Sequence, residues 1–444
     1  MRNQRHTRHL HLPRPVMLAG TILALALLLA TGGVFGRVAS AGEPVNLVWW
    51  HVEETREPFK AAVKWAIEEF KKVRPDINVT VEITGYGAND AKIKAAAAAH
   101  KTPDIGMTWG GGIYRYASMG ILEPITDVVK SIGVDDYWPG PIREATYKGE
   151  IYGLPDQDNT HLLFYRKDLL AEKGIKPPET WDELLSAAKA LTVGNRSGLG
   201  YGLASVDGNE VLWCFMRTNN ATIFDRDLNV VFDSKETQEA LQIMKDLMPY
   251  VPPGSISMSE NEARVNALRG NVAMVLTSTS FPYEIVSKAP AQLANFGAVA
   301  FPKRKQRGAY YFSGELFIFK DSQHKKEAKE FFRFLHRPEI YRQYLAMMPN
   351  GFQPTRKSTI NDPAYRNHPE VKKVEAFLQA GIESLPFAST PGTDQVMNPY
   401  GPEIESRLVL KKIMDLVLVD GKSPAEAAAT GQQVIKKLVE EIGK

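Results

Sequence analysis

Segments with the periodicity of strands alternate with segments with the periodicity of helices along the first part of the chain. Residues 46–50 have the pattern of a short strand, and apolar residues recur at helical spacing through residues 59–73, before Pro75. In residues 77–83 apolar and polar residues alternate, as in a half-buried strand. Strand, helix, strand is the unit from which parallel and mixed sheets are built. The pattern therefore predicts an α/β fold.

A second unit of the same kind follows. Asp90 is placed to cap a helix over residues 92–100, and a strand is predicted over residues 105–109. Residues 150–154 and 161–165 also have strand patterns, and the polar stretch between them, residues 156–160, is too short for a helix. We interpret this polar stretch as a crossing point between two lobes.

Helix and strand signals continue to the end of the chain. Thr180 and Glu183 have the spacing of a capping box at a helix start. Ser423 is placed to cap the last helix. Strands are predicted over residues 272–276, 296–300 and 310–319, and helices over residues 325–335, 407–419 and 424–442.

The first 41 residues have the three parts of an export signal. Residues 1–15 carry four arginines and no acid, residues 16–30 are an almost unbroken apolar run, and Ala39-Ser40-Ala41 fits the rule for signal peptidase. The run is shorter than the roughly 20 residues that span a bilayer. We predict export to the periplasm or the outer face of the cytoplasmic membrane, with cleavage after Ala41. An uncleaved membrane anchor is the alternative.

Charge and cysteine content exclude several classes of protein. Cleavage would remove five of the 54 basic side chains and none of the 51 acidic ones, which leaves a formal charge of −2. No basic run interleaved with aromatic residues is found, so neither nucleic acid nor a membrane surface is an expected partner. Cys214 is the only cysteine, so stability must come from burial without an intramolecular disulfide. A chain this long is expected to form two lobes.

Catalytic and metal-binding motifs were not found in the sequence. It contains no Gly-x-Ser-x-Gly, no His-Glu-x-x-His and no phosphate loop. No two histidines after residue 41 have the spacing that sets two metal ligands on one helical face. We expect no catalytic residue, no metal and no cofactor. Carboxylate pairs such as Asp156 and Asp158 keep an exported carbohydrate-active enzyme open as an alternative.

Aromatic and polar side chains are instead grouped at predicted strand ends and in loops. A pyranose has an apolar face that stacks on flat rings and a rim of hydroxyls that pairs with carboxylates and amides. This mixture of residues predicts a sugar pocket, whereas Trp65 and Trp181 lie inside helices and are expected in the core. The candidate ligand contacts are Trp50, His51, Glu53, Tyr86, Trp109, Gly110, Asp158, Asn159, Trp213, Ser280, Ser313, Gly314 and Tyr400.

Several motifs, in order along the chain, resemble those of the extracellular solute-binding proteins of family 1, which serve ABC importers and include maltose- and oligosaccharide-binding proteins. The motifs occupy residues 102–105, 116–127, 148–155, 163–170, 174–184, 268–274, 325–335 and 421–427. One departure is that Thr277-Ser-Thr-Ser280 precedes Phe281 where similar proteins often have Gly and Trp. The departure weakens the case for maltose itself.

The resemblance implies a two-lobed periplasmic-binding-protein fold of type II character, with hinge segments and a ligand cleft between the lobes. It places the first lobe at residues 42–158 and 314–353 and the second at residues 159–313 and 354–444, with crossings near Asn159, Ser313 and Gln353. His51 to Glu54, Trp109, Asn159 and Tyr400 match the family's contact positions. It implies a monomer that hands a sugar to an ABC permease. A polyol or a glycerol phosphate is the alternative ligand.

Overall fold

The computed structural model describes residues 44–52, 56–348 and 352–442. The predicted export signal and its cleavage site lie outside the described residues, as does Glu53. The strands are β1 Val45–His51, β2 Ile77–Ile83, β3 Ile105–Trp109, β4 Thr146–Tyr147, β5 Glu150–Ile151, β6 Leu154–Arg166, β7 Ser197–Gly200, β8 Val272–Ser278, β9 Phe296–Ala300, β10 Tyr311–Ile318 and β11 Gln353–Pro354.

Helices surround these strands. The α-helices are α1 Glu57–Val73, α2 Tyr86–Ala98, α3 Gly112–Ser118, α4 Thr126–Ile132, α5 Pro139–Glu144, α6 Lys167–Glu172, α7 Trp181–Leu191, α8 Ser205–Thr218, α9 Lys235–Leu247, α10 Glu260–Leu268, α11 Phe281–Lys288, α12 Lys325–Leu335, α13 Pro338–Ala346, α14 Lys357–Ile360, α15 Pro363–Arg366, α16 Pro369–Lys373, α17 Glu375–Ser384, α18 Gly401–Ser406, α19 Val409–Leu418 and α20 Pro424–Ile442. None of the helices in the described ranges is long and apolar enough to cross a membrane.

One mixed sheet connects the described chain, in the order β2-β1-β3-β10-β6-β8-β7, with β9 and β11 also paired to β6. Strand β1 is parallel to β2 and β3, and β7 is parallel to β8. Strand β10 is antiparallel to both β3 and β6. The α/β class predicted from the alternating periodicities is confirmed.

Strand β6 is the element that the sequence patterns describe least well. The polar residues 156–160 do not interrupt it: they are buried inside one strand of 13 residues. Their backbone is paired on both sides, because Asp158 is opposite Ser313 of β10 and Gln353 of β11. The expectation of two strands separated by a polar stretch was therefore wrong, since sheet pairing satisfies the backbone there as well as in the apolar half.

Two large hydrophobic cores lie at opposite ends of β6. One is built from residues between 47 and 154 and between 316 and 378, and includes Trp49 and Phe331. The other is built from residues between 163 and 301, with Tyr310 and residues between 404 and 438, and includes Trp181 and Trp213. Two smaller clusters adjoin them. The predicted lobe boundaries fall within β6, β10 and β11, and they remain predictions.

Helix α2 begins earlier than the sequence suggests. Asp90 was expected to cap it, but the helix starts at Tyr86 after Gly85, and no side chain caps its first turn. Asp90 lies inside the helix and accepts hydrogen bonds from Arg115 at 3.0 Å and from Tyr116 at 2.9 Å. An acceptor that partners an arginine from another element was mistaken for a local cap.

Helix α7 begins with the predicted capping box. Thr180 Oγ1 accepts from the amide of Glu183 at 3.3 Å, and the Glu183 carboxylate accepts from the amide of Thr180 at 3.0 Å. The amides of Thr180 and Glu183 are therefore both hydrogen-bonded, although amides at the start of a helix have no partner within the helix itself. Trp181, directly after the cap, is buried in the core.

Removing this cap should lower stability without altering the fold. Thr180→Ala is expected to lower the free energy of unfolding by about 1 kcal/mol, the usual cost of losing a side-chain cap. Urea unfolding followed by circular dichroism measures the change. Thr180→Ser keeps the hydroxyl and should be close to neutral, and an equal loss in both variants would contradict a capping role.

Candidate functional site

Two adjoining cavities lie between the two cores, and both are lined by Trp109 and Val206. Their volumes are about 300 Å³ and about 400 Å³. The smaller is lined by Arg56, Trp109, Asn159, Val206, Asp207, Glu210, Glu260, Asn261, Arg264, Ser278, Ser280, Phe312 and Phe352. The larger is lined by Val52, Asn89, Asp90, Thr108, Trp109, Gly110, Arg115, Tyr116, Ser205, Val206, Pro402, Glu405, Ser406 and Leu408. Together they form a cleft to which both parts of the chain contribute.

Trp109 is the last residue of β3, and its ring stands at the junction of the two cavities. The ring is tilted against Phe352, with 5.1 Å between centroids and 30° between planes. Gly314 of β10 makes room for it, because a Cβ at that position would lie 2.9 Å from the indole. The indole Nε1 is buried and has no hydrogen-bond partner among the described residues. An unpaired buried donor on an aromatic ring is suited to a ligand that offers an oxygen.

One wall of the smaller cavity is acidic. Asp207 and Glu210 are three residues apart on α8, so they lie on one helical face. Burial, and then the charge of Glu260, raises the pKa of Asp207 to about 6. The same two causes raise the pKa of Glu210 well above its ordinary value. Glu210 Oε2 is 3.4 Å from Nε2 of His161.

Beneath this wall lies a buried ionic network centred on Arg264 of α10. Its guanidinium contacts Glu260 at 2.7 Å and Glu284 at 3.2 Å. It also donates to the hydroxyls of Thr277 and Ser278 at 2.7 Å and 2.5 Å. Burial acts to raise the pKa of Glu260, but the charges of Arg264 and His161 and the hydrogen bonds from Thr277 and Ser278 together outweigh it and hold that pKa at about 2. The network therefore fixes the floor of the cavity in one ionised arrangement.

The larger cavity has a second set of paired charges. Arg115 is 3.0 Å from Asp90, and Tyr116 donates to the same carboxylate. Glu405 of α18 accepts from the Tyr310 hydroxyl at 2.9 Å, and burial raises its pKa to about 7. Ser205, at the start of α8, has a positive φ of 53°, which is rare for a residue with a side chain and is typical of functional sites.

Arg56 connects the two sides of the cleft. Its guanidinium lies over Phe59 at 5.1 Å, over Tyr283 at 5.3 Å and over Phe352 at 5.8 Å, measured to the ring centroids. Phe59 and Phe352 pack edge to face beside the first core, whereas Tyr283 belongs to α11, which follows β8. A cation between rings of both sides favours their close approach.

The structure brings four of the predicted contacts together in the cleft: Trp109, Gly110, Asn159 and Ser280. The Asn159 side chain is fixed, since its Oδ1 accepts from Thr279 Oγ1 at 2.5 Å. Asp158, Ser313 and Gly314 lie on the paired strands β6 and β10 behind the cleft. Asp158 and Ser313 are fully buried there.

Other candidates lie elsewhere. Trp50 packs against Phe319 in a small core cluster and donates to Glu82 at 2.8 Å, and Trp213 is fully buried and donates to the Ser389 carbonyl at 2.7 Å. The prediction that these two rings contact a ligand is not supported by their position, because both rings are packed in the core and their N–H groups are already hydrogen-bonded.

Three further candidates remain. His51 is buried beside a separate groove along β2, and Tyr400 packs on Phe224 at 5.3 Å, next to the cleft helix α18. Tyr86 begins α2, and its side chain is outside the described part of the chain. Glu53 is outside it altogether.

Several cleft residues were missed by reasoning from the sequence. Asp207 and Glu210 have a helical spacing of three, and Glu260 and Arg264 a spacing of four, directly after the capping residue Ser259. Those spacings were visible in the sequence, but they are equally common on solvated helix faces. Arg56 and Phe352 gave no signal, because their role depends on a contact between distant segments. Among the described residues, no group of His, Cys, Asp and Glu is arranged to hold a metal ion.

The fold and the cleft together define a two-lobed protein of the class that encloses a small solute between its halves. The chain belongs to the family of bacterial extracellular solute-binding proteins, whose family model matches residues 53–341. The family resemblance predicted from the motifs is confirmed.

Relatives and a solved structure agree with this assignment. A putative ABC transporter periplasmic-binding protein, YcjN, of Escherichia coli is 24% identical over an alignment of 444 residues, gaps included. The alignment covers 96% of this chain and 99% of that protein. The maltotriose-binding protein of Pyrococcus abyssi is 25% identical over 336 residues, 73% of this chain and 70% of that protein. A solute-binding protein of Thermotoga lettingae, bound with alpha-D-tagatose, has a TM-score of 0.76 and 24% identity, and the match covers 89% of this chain and 100% of that one. The predicted two-lobed fold class is confirmed.

Proposed function

We propose that this protein is the exported substrate-binding component of an ABC transporter and that it captures a neutral sugar, of one to several units, in the cleft around Trp109. The observation that carries the proposal is that the indole of Trp109 lines two adjoining cavities, of which one is also lined by Asp207 and Glu210 and the other by Glu405. The names of the relatives from E. coli and P. abyssi support the transporter and the sugar.

The cleft matches the two surfaces of a sugar. The flat face of Trp109 can stack on the apolar face of a pyranose. Asp207 and Glu210 line the same cavity and can accept hydrogen bonds from hydroxyls, while Asn159 adds an amide to that cavity. Asp207 accepts from the amide of Glu260 at 2.7 Å, and Glu210 lies 3.4 Å from His161, so both acids are held in place before a ligand arrives.

Electrostatics favour a neutral ligand over a glycerol phosphate. Of the arginines that line the cleft, Arg264 and Arg115 are paired with carboxylates, and the guanidinium of Arg56 lies over three aromatic rings. Among the described residues, Asp207, Glu210 and Glu405 form no ion pair with a lysine or arginine. A phosphate here would lose its hydration beside carboxyl groups and gain no cation from Arg264 or Arg115, whereas neutral hydroxyls can pair with these carboxyls in either protonation state.

A ligand screen tests the proposal. Thermal unfolding of the chain from residue 42 is measured with neutral mono- and oligosaccharides, polyols and glycerol 3-phosphate in turn. A ligand that binds only the folded state raises the midpoint temperature of unfolding. At least one neutral sugar should raise it, whereas glycerol 3-phosphate should not. A radiolabelled form of the sugar that binds should be recovered intact after incubation. Its hydrolysis would favour the carbohydrate-active enzyme, and stabilisation by the phosphate alone would contradict the neutral-sugar proposal.

Export carries its own prediction. The protein secreted by a bacterial host should begin at Gly42, because residues 1–41 have the regions of a cleavable signal. N-terminal sequencing of the secreted material makes the measurement. A protein that retains Met1 and sediments with membranes would favour the anchored form. We expect the mature protein to be a monomer that docks on the permease.

A further inference from the structure

Three carboxyl groups are buried together where the chain crosses between its two cores. Glu144 ends α5, Asp158 is in β6 and Glu315 is in β10, and their exposed fractions are 1%, 0% and 1%. Oε2 of Glu144, both oxygens of Asp158 and Oε1 of Glu315 have no hydrogen-bond partner among the described residues. An ionised carboxylate in such a place is strongly destabilised, so a buried group of this kind takes up a proton instead.

The groups around the three acids do not supply a compensating charge. Glu405 of α18 and Asp156 of β6 add negative charge. Arg143 of α5 has only a minor effect on Glu144, and its guanidinium donates to the Thr393 carbonyl at 3.5 Å. The hydroxyls of Ser313 and Tyr311, both in β10, lie beside Asp158 and Glu144 and offset part of the cost of burial.

The pKa directions agree with this geometry. Burial, and then the charge of Glu405, raises the pKa of Glu144 to about 8. Burial raises the pKa of Asp158 and of Glu315 well above the ordinary range, and the neighbouring Glu144 raises both further. Interacting acids of this kind titrate as a set, so the cluster as a whole keeps protons at neutral pH.

The cluster is connected to the cleft through one hydrogen bond. Glu144 Oε1 accepts from the amide of Gly111 at 2.6 Å, and Gly111 follows Gly110, which lines the larger cavity. Gly111 also packs on Pro402 of α18, since a Cβ at position 111 would lie 2.9 Å from the proline ring. Separating α18 from this loop would remove Glu405 and admit water to the acids.

We propose that Glu144, Asp158 and Glu315 form a proton-binding site that is filled when the two lobes are closed and releases protons to solvent when they open. The proposal rests on the proposed two-lobed binding function, and it adds the proton as a second ligand of the closed state. A rise in pH therefore favours the open state, and with it the release of solute.

The sign of the pH dependence follows from linkage. Because the folded pKa of Glu144 is above its ordinary value of 4.5, this carboxyl binds more protons in the folded protein than in the unfolded chain between pH 4.5 and about 8. The stability that it contributes is therefore greatest at the acidic end of that window and falls as the pH rises through it. The closed and open states are related in the same way.

The experiment needs no solute, so it is separable from the ligand screen. Wild type, Glu144→Gln and Glu315→Gln are compared with Glu339→Gln, which removes an exposed acid of α13. Urea unfolding across the pH window gives the number of protons linked to folding, and infrared spectra at neutral pH report the carbonyl band of a buried carboxylic acid. Spin labels at Lys101→Cys and Lys189→Cys, one exposed site on each side, report the distance between the lobes.

We expect wild type to show the carboxylic acid band at neutral pH and to shift toward the longer distance between the spin labels as the pH rises. Each cluster variant should lose about one linked proton and show a weaker band and a smaller shift in distance with pH, while Glu339→Gln should behave as wild type. A folded cluster variant with as many linked protons as wild type would overturn the proton site, and a wild-type protein without the band would overturn it even if both variants failed to fold. A distance that does not depend on pH would overturn its link to closure. Either failure leaves the proposed sugar binding untouched.

Discussion

Replacement of Arg264 by methionine is expected to lower the free energy of unfolding by about 3–5 kcal/mol, because it removes the arginine that pairs with Glu260 and leaves Glu284 with Lys288 as its one remaining cation among the described residues. Glu260 and Glu284 both contact this guanidinium, and the hydroxyls of Thr277 and Ser278 would lose a donor. Methionine retains most of the aliphatic volume, so the loss reports the charge network and not a cavity. Chemical unfolding at neutral pH measures it.

Arg269→Met is the matched control, because Arg269 is exposed at the end of the same helix. It should change stability by less than about 0.5 kcal/mol. The pH dependence gives a further check: the pKa of Glu260 is held at about 2, so the stability it contributes is present above its ordinary pKa of 4.5 and is lost as the pH falls toward 2. If Arg264→Met no longer shows this fall in stability at acidic pH, the result would support the ion pair between Arg264 and Glu260. Equal stability of Arg264→Met and Arg269→Met would contradict it.

Trp109→Ala is expected to weaken binding of the sugar found in the ligand screen by about 1–3 kcal/mol, roughly 5- to 150-fold, the scale of a buried aromatic contact. The effect should be on affinity, measured by calorimetry, because the ring stands at the junction of the two cavities. Trp109→Phe keeps a flat ring and should retain part of the affinity.

Trp138→Ala is the matched control for this prediction. Its indole is half-buried and lines neither cavity. Circular dichroism and unfolding on each variant separate a loss of binding from a loss of fold. Normal affinity in a folded Trp109→Ala protein would place the solute elsewhere.

Elements whose sequence signal is local were predicted closely. The strands at residues 77–83, 105–109 and 296–300 and the helices at residues 325–335 and 424–442 have the predicted limits, because their own periodicity and flanking residues define them. Strand β6 was not predicted as one element, because nothing in its own sequence indicates that the backbone of five consecutive polar residues is paired with a strand on each side. That information is carried by β10 and β11, which lie more than 140 residues away along the chain.

The residues of the site also differ in whether a local sequence signal indicates them. Trp109 was found because it ends a strand, and ligands bind where strands end in open α/β sheets. Trp50 has the same local sequence character but is enclosed by Phe319 and Glu82, and the choice between core and cleft was made by packing that the sequence does not display. Asp207, Glu210 and Arg264 became recognisable only once their helices were placed around one cavity.

The route of strands β6 and β10 has a consequence for the order in which this protein acquires its structure. The first core needs residues 316–378 as well as residues 47–154, and the second needs residues 404–438 as well as residues 163–310. Neither half can therefore complete its packing while it leaves the ribosome, and both wait for pairings between very distant segments. Chains with such distant pairings fold slowly. We therefore expect both cores of a growing chain to stay incomplete until nearly all of it has been synthesised, and an incompletely packed chain is what a translocase can thread.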